Sequence, residues 1–367
     1  MRLSILITLV LAGCGSSPRT AKIVQTLPLF HRPESVAFSL DGEHLFVSNC
    51  ASGLFGPDGK LVGFQRDQGA ISKLNVLPGG RVEMARARFV EGLSGSVGLG
   101  VLPVSTPRYP AGTLLVNCGI ALLVDAGGEM VTDAAALETG IRFFDPDSGK
   151  ELGRIDLGVG SAVAAAIGHP VLLPNSMAFD DAGNLFVTDT AKGGDRLRPE
   201  IAANPGLIRI PHASIDDPRK GGITFTPVPG VPNGVGYWEA RDAICLVTMG
   251  GGTPEGEAVY VIPAGDFPLG ALPEPRVAGV GTADGIAFTK AGTIVTSRFS
   301  GDLLAIPERG APTPITLDPD VELVSPADHR ILTLQDGTSV LAVPEQARVE
   351  PEPWKQRVRI IHLSPGF

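Results

Sequence analysis

The segment 33–50, PESVAFSLDGEHLFVSNC, is written again at 174–190 as PNSMAFDDAGNLFVTDT and at 283–298 as ADGIAFTKAGTIVTSR. Each copy opens with apolar residues two and four places after a polar one: Val36 and Phe38, Met177 and Phe179, Ile286 and Phe288. That alternation is the period of a β-strand. A glycine turn follows at Gly42, Gly183 or Gly292, and then a second apolar strand. Third strands come next, as in GAISKL, GLIRI, EAVYVI and GDLLAI, and a more polar fourth closes the unit. A repeated unit of four short strands is the signature of a propeller blade.

Placing the polar position of each unit along the chain counts the blades. Glu34, Asn175 and Asp284 are direct readings, and VPNGVGYWEARDAICLVTMG adds Asn233 with a longer hairpin. Between the first two lies GSVGLG…GTLLVNCG, which puts Gly95 in the same role ahead of the long hairpin LPVSTPRYPA. The last unit is HRILTLQDGTSVLAV, where Gly337 follows His329 at the spacing that separates Glu34 from Gly42. The expectation is an all-β, six-bladed β-propeller of four-stranded antiparallel blades, one domain over residues 23–367. QRVRIIHL supplies a third strand to the last blade, and KIVQTLPL from the other chain end its outer strand, which closes the ring and removes exposed edges. TDAAALETG at 132–140 is the best helical candidate. Residues 120–170 read as an enlarged blade exit holding a hairpin around Asp145–Lys150.

Equivalent positions at the start of the innermost strands meet at one mouth of a propeller's channel. The expected ring is Glu34, Gly95, Asn175, Asn233, Asp284 and His329. Carboxylates gathered there repel one another, and a hard divalent cation relieves that cost. Calcium accepts mixed carboxylate and amide oxygens; zinc, manganese and magnesium are alternatives at an oxygen-rich site. Asn and Asp before Gly are also ordinary turn residues, which accounts for Asn233 and Asp284 but not for Glu34.

The formal charge of −9 argues against a nucleic-acid partner. The chain starts MRLSILITLVLAGCGSS, one basic residue and a short apolar run ending in LAGC. This resembles the bacterial lipoprotein signal. The resemblance implies that residues 1–13 are removed, that Cys14 is lipidated, and that 14–22 tether the domain to the cell envelope. By the same resemblance, Gly15 rather than Asp after the cysteine implies the outer membrane, facing the periplasm. In that oxidising compartment Cys50 and Cys118 form a disulfide, or they and Cys245 stay buried free thiols; the sequence leaves both open.

The motifs PNSMAF, PNGVGY and ADGIAFTKAGTIVTS resemble the six-bladed gluconolactonase family that includes regucalcin, the senescence marker protein, and more distantly the paraoxonase and strictosidine-synthase-like propellers. PNSMAF…NLFVTDT is also similar to the non-enzymatic NHL-type repeat. By blade order, the gluconolactonase resemblance implies that Glu34, Asn233 and Asp284 hold a divalent cation, that Asn175 contacts the substrate, and that Asp284 handles the proton in lactone hydrolysis. The chain departs from that family's pattern in lacking a proline soon after Glu34 and in carrying Leu173 where the family often has arginine. His329 is a second candidate for the proton, since a cation-bound carboxylate is a poor base. The expected activity is thus metal-dependent hydrolysis of a small lactone or ester. The alternative is a non-catalytic, lipid-anchored propeller with a structural metal, binding a partner through the loops at 51–70, 102–112 and 191–205.

Overall fold

The computed structural model describes residues 19–364 and 367 apart from position 29 and the segments 51–52, 56–60, 65–66, 120–122, 126–129, 133–138, 192–203, 251–255, 318–320 and 347–355. The leader, Cys14, most of the 132–140 helical candidate and much of the loops at 51–70 and 191–205 lie outside the described residues.

Each recurring unit folds as a four-stranded antiparallel sheet, and six of them form the blades of one propeller. The innermost strands are Pro33–Phe38, Leu99–Val101, Pro174–Phe179, Val231–Trp238, Ala283–Phe288 and Arg330–Thr333. The first blade continues outward through His44–Asn49, Gly69–Val76 and Val82–Leu93, and the next four repeat that order. The sixth runs Arg330–Thr333, Ser339–Glu345, Arg357–Leu363 and then Ala21–Leu27 from the opposite chain end. That closing strand pairs antiparallel from Ala21↔Leu363 to Leu27↔Val358. The ring is therefore sealed by main-chain hydrogen bonds between the two ends of the chain.

Two sequence expectations change in detail. The hairpin around Asp145–Lys150 joins Gly140–Phe144 to Glu151–Asp156, which are the third and fourth strands of the second blade and not an exit from it. The one α-helix among the described residues is Ala162–Ile167, between the second and third blades. Ser161 caps it by accepting from the Ala164 amide at 3.0 Å, and Gly168 ends it in the left-handed region at φ 86. Six residues give too little periodicity to be read from sequence.

The apolar residues two and four places into the innermost strands go into cores between neighbouring blades. Val36 packs with Leu45, Val47, Val340 and Val358, and Met177 with Leu115, Phe143, Val187 and Ile208. The alternate positions are small in five blades: Ser35 and Ala37, Gly98 and Gly100, Ser176 and Ala178, Gly234 and Gly236, Gly285 and Ala287. The reason is close approach of main chains. A Cβ on Gly98 would lie 2.0 Å from the Asn175 carbonyl oxygen, and one on Gly234 2.3 Å from that of Asp284.

Register corrects the ring. In four blades the residue before the ring position pairs with the second strand, and an extra residue then intervenes: Pro33↔Asn49 is followed by Val36↔Val47, and Pro174↔Asp189 by Met177↔Val187. The ring residues Glu34, Asn175, Asn233 and Asp284 thus sit in β-bulges. Bulges bend a strand and re-aim side chains, often next to functional sites. In the sixth blade Pro326↔Glu345 and Arg330↔Ala342 put Ala327 at the ring, not His329. In the second, Leu99↔Val116 puts Val97 there, not Gly95. The Gly337 turn misled because the inner hairpin of the sixth blade is longer than that of the first: Pro326 pairs with Glu345, whereas Pro33 pairs with Asn49 and Pro232 with Thr248.

Candidate functional site

The ring is held from behind by a repeated device. A polar side chain on the second strand of one blade donates to the main-chain carbonyl of the next ring residue. Ser48 Oγ reaches Val97 at 2.6 Å, Asn117 Nδ2 reaches Asn175 at 2.8 Å, Thr188 Oγ1 reaches Asn233 at 2.7 Å, and Ser297 Oγ reaches Ala327 at 3.0 Å. Between the sixth and first blades the main chain does the same work, with the Asp328 amide donating to the Glu34 carbonyl at 3.0 Å. A second device fixes the approach to the ring. Asn49, Asp189 and Glu345 end second strands and accept from the amides of His31, Leu172 and Val324, each three residues before a ring position. Asp189 also accepts from Leu173 and Ala191. Burial raises the Asp189 pKa, and these three amides oppose that rise.

Four of the six ring residues have oxygen-bearing side chains, and all four are buried: Glu34, Asn175, Asn233 and Asp284. Asn175 Nδ2 donates to Asn233 Oδ1 at 2.6 Å and to Thr190 Oγ1 at 2.9 Å, so the amides of neighbouring blades touch. Asn233 Nδ2 points to Met249 Sδ at 3.4 Å and the Ala283 carbonyl at 3.5 Å, which fixes its amide orientation. Two carboxylates and two amides make a donor set suited to a hard cation. Among the described residues, no cluster of three or more His, Cys, Asp and Glu offers an alternative metal site.

His329 lies two residues deeper than the ring, fully buried between the fifth and sixth blades. Its Nδ1 faces the Ala327 carbonyl at 3.4 Å and its Nε2 the Val295 carbonyl at 3.1 Å. Burial lowers its pKa to about 4. The imidazole is neutral at physiological pH, and its two nitrogens face main-chain carbonyls and not the four oxygen-bearing ring side chains.

What sequence reading missed is the pair beside it. Asp328 and Arg330 occupy the alternate positions that are Ser, Gly or Ala in the other five blades. Asp328 Oδ2 accepts from Ser35 Oγ at 2.9 Å and Ser176 Oγ at 3.2 Å, while Arg330 Nη1 donates to Oδ1 at 2.5 Å. Arg330 Nη2 reaches the Met177 carbonyl at 3.2 Å. The third blade stands opposite the sixth, so this pair spans the channel beneath the ring. Aligning Pro326-Ala327 with Pro33-Glu34 and Pro174-Asn175 would have exposed it.

The three cysteines among the described residues are free thiols. Burial pushes the Cys118 pKa up to about 12 and raises that of Cys245 as well.

No family model matches the chain. No curated protein matches it either. Solved structures do. A luciferin-regenerating enzyme aligns with TM-score 0.55 at 10% identity, over 95% of this chain and 96% of its own. A gluconolactonase from Xanthomonas campestris aligns with TM-score 0.51 at 14% identity, over 94% of this chain and 100% of its own. The soluble aldose sugar dehydrogenase from Escherichia coli, in its apo-form, aligns with TM-score 0.51 at 13% identity, over 95% and 99%. At these identities the likeness establishes the shared six-bladed fold, and the fold hosts more than one chemistry.

Proposed function

We propose that this chain is a divalent-cation-dependent hydrolase of small lactones or esters, with calcium as the first candidate ion. The observation that carries this reading is the bulged ring, in which Glu34, Asn175, Asn233 and Asp284 take equivalent register positions. The match to a gluconolactonase fold supports it, as does the sequence resemblance of those four positions to that family.

In this reading Glu34, Asn233 and Asp284 hold the cation. Bound there, it would supply Lewis-acid polarisation of the ester carbonyl. The chain's own groups do the rest. Asn175 orients the substrate through its amide. An Asp284 carboxylate oxygen accepts the proton of the attacking water. Asp328, Arg330 and the two serines close the floor, so substrate and product use one mouth. His329 takes no part, because its ring nitrogens face main-chain carbonyls inside the core.

The test is a panel of lactones and aryl esters assayed on the protein before and after chelation. Hydrolysis that chelation abolishes and calcium restores supports the reading. Turnover that is indifferent to chelation, or no turnover with any ion, counts against it and favours a partner-binding propeller. The reading also carries the lipid anchor at Cys14 and an outer-membrane site facing the periplasm. A Cys14→Ser variant should then move from the membrane to the soluble fraction, and an unchanged distribution would remove that part.

A further inference from the structure

Beneath the Asp328–Arg330 pair the channel opens at the second mouth as a cavity of about 1350 Å3. Its collar is formed by the residues four places beyond the ring: Phe38, Val101, Phe179, Tyr237, Phe288 and Ile331, all half-buried. Above the collar the wall is main chain and methyl groups, from Ala37, Gly100, Ala178, Gly236 and Ala287. Arg330 lies at the blind end, with 21% of its side chain exposed. This space is separate from the ring site, which faces the other mouth.

The chemistry of the blind end is specific. Three N–H groups of Arg330 are committed, two from Nη1 to Asp328 Oδ1 and the His329 carbonyl, and one from Nη2 to the Met177 carbonyl. Nε–H and the second Nη2–H have no acceptor among the described residues and are open to a ligand. The guanidinium charge is already matched by Asp328. A second carboxylate brought here would therefore leave net negative charge beside Asp328 and the apolar collar, which is unfavourable. Asp181 and Glu239 at the rim, against Lys290, oppose an anion further. A neutral acceptor satisfies the two donors at no such cost.

We infer that this cavity binds an uncharged apolar molecule with one carbonyl acceptor, an aliphatic ketone or ester, its carbonyl toward Arg330 and its hydrocarbon across the aromatic collar. Titration calorimetry of the protein with methyl heptyl ketone and with octanoate tests this. The ketone should bind, and octanoate about tenfold more weakly or worse. Val101→Trp, which fills the collar and leaves the ion pair intact, should weaken the ketone by about tenfold or more. An Asp328→Asn/Arg330→Met variant, shown to be folded by its unfolding transition, should lose the preference for the ketone. No heat with the ketone overturns the inference. So do equal affinity for octanoate, no effect of Val101→Trp, or a preference that survives loss of the ion pair.

Discussion

Replacing Gly98 by alanine tests the close packing that builds the ring. The new Cβ would sit 2.0 Å from the Asn175 carbonyl oxygen, 3.0 Å from its carbonyl carbon and 3.0 Å from Ser176 Cα. All three are main-chain atoms, so no side chain can swing away, and the second and third blades must part. Parting them strains the 2.8 Å bond from Asn117 Nδ2 to that same carbonyl. Overpacking of this kind costs about 1–3 kcal/mol, and a buried amide left without its acceptor about 1–3 more, so the loss should be about 4 kcal/mol. Gly265→Ala is the matched control, because nothing stands within 4 Å of its Cβ, and it should stay within about 0.5 kcal/mol of wild type. Urea unfolding reads both, as a lower midpoint at unchanged slope for Gly98→Ala. A Gly98→Ala protein as stable as the Gly265→Ala control would refute the argument that glycine is demanded there by main-chain contact.

Two further outcomes follow from buried charge. Glu345 is fully buried, takes Arg357 and Arg359 as partners and accepts from the Val324 amide at 2.7 Å; Glu345→Gln should cost about 3 kcal/mol in the same unfolding measurement. His329 has its pKa lowered to about 4 from 6.5 by burial. Its contribution to stability is complete above the unfolded value and is lost as pH falls from 6.5 toward 4, because the unfolded chain takes up a proton that the folded chain refuses. That loss amounts to about 3 kcal/mol. Unfolding free energies across this window should therefore fall less steeply in His329→Gln than in wild type.

The blade pattern was legible because hairpin turns and strand alternation repeat in the sequence. Val36, Phe38 and Gly42 have direct counterparts in Met177, Phe179 and Gly183, and the chain-end closure followed from the two unpaired strands. The ring was legible where the residue before it is proline or alanine and the bulge is intact. It failed at the second blade because GSVGLG offers no polar residue to mark the ring and its strand is only Leu99–Val101, and at the sixth for a different physical reason. A turn glycine reports where a hairpin ends, whereas the ring is set by where the strand begins, and hairpin length varies between them. Measured back from Gly337, the reading landed on His329; measured from Pro326, it lands on Ala327 and brings Asp328 and Arg330 into the channel. The short helix at Ala162–Ile167 left only its cap residues, Ser161 and Gly168, as a trace.

The most direct test of the proposed site is calcium binding to chelator-stripped protein, compared between wild type and a folded Glu34→Gln/Asp284→Asn variant. The ring as described takes one ion per chain in wild type and none in the variant. Equal binding by both proteins, or no binding by either with calcium or zinc, would contradict the account and leave the four ring residues as strand-opening and channel-lining groups.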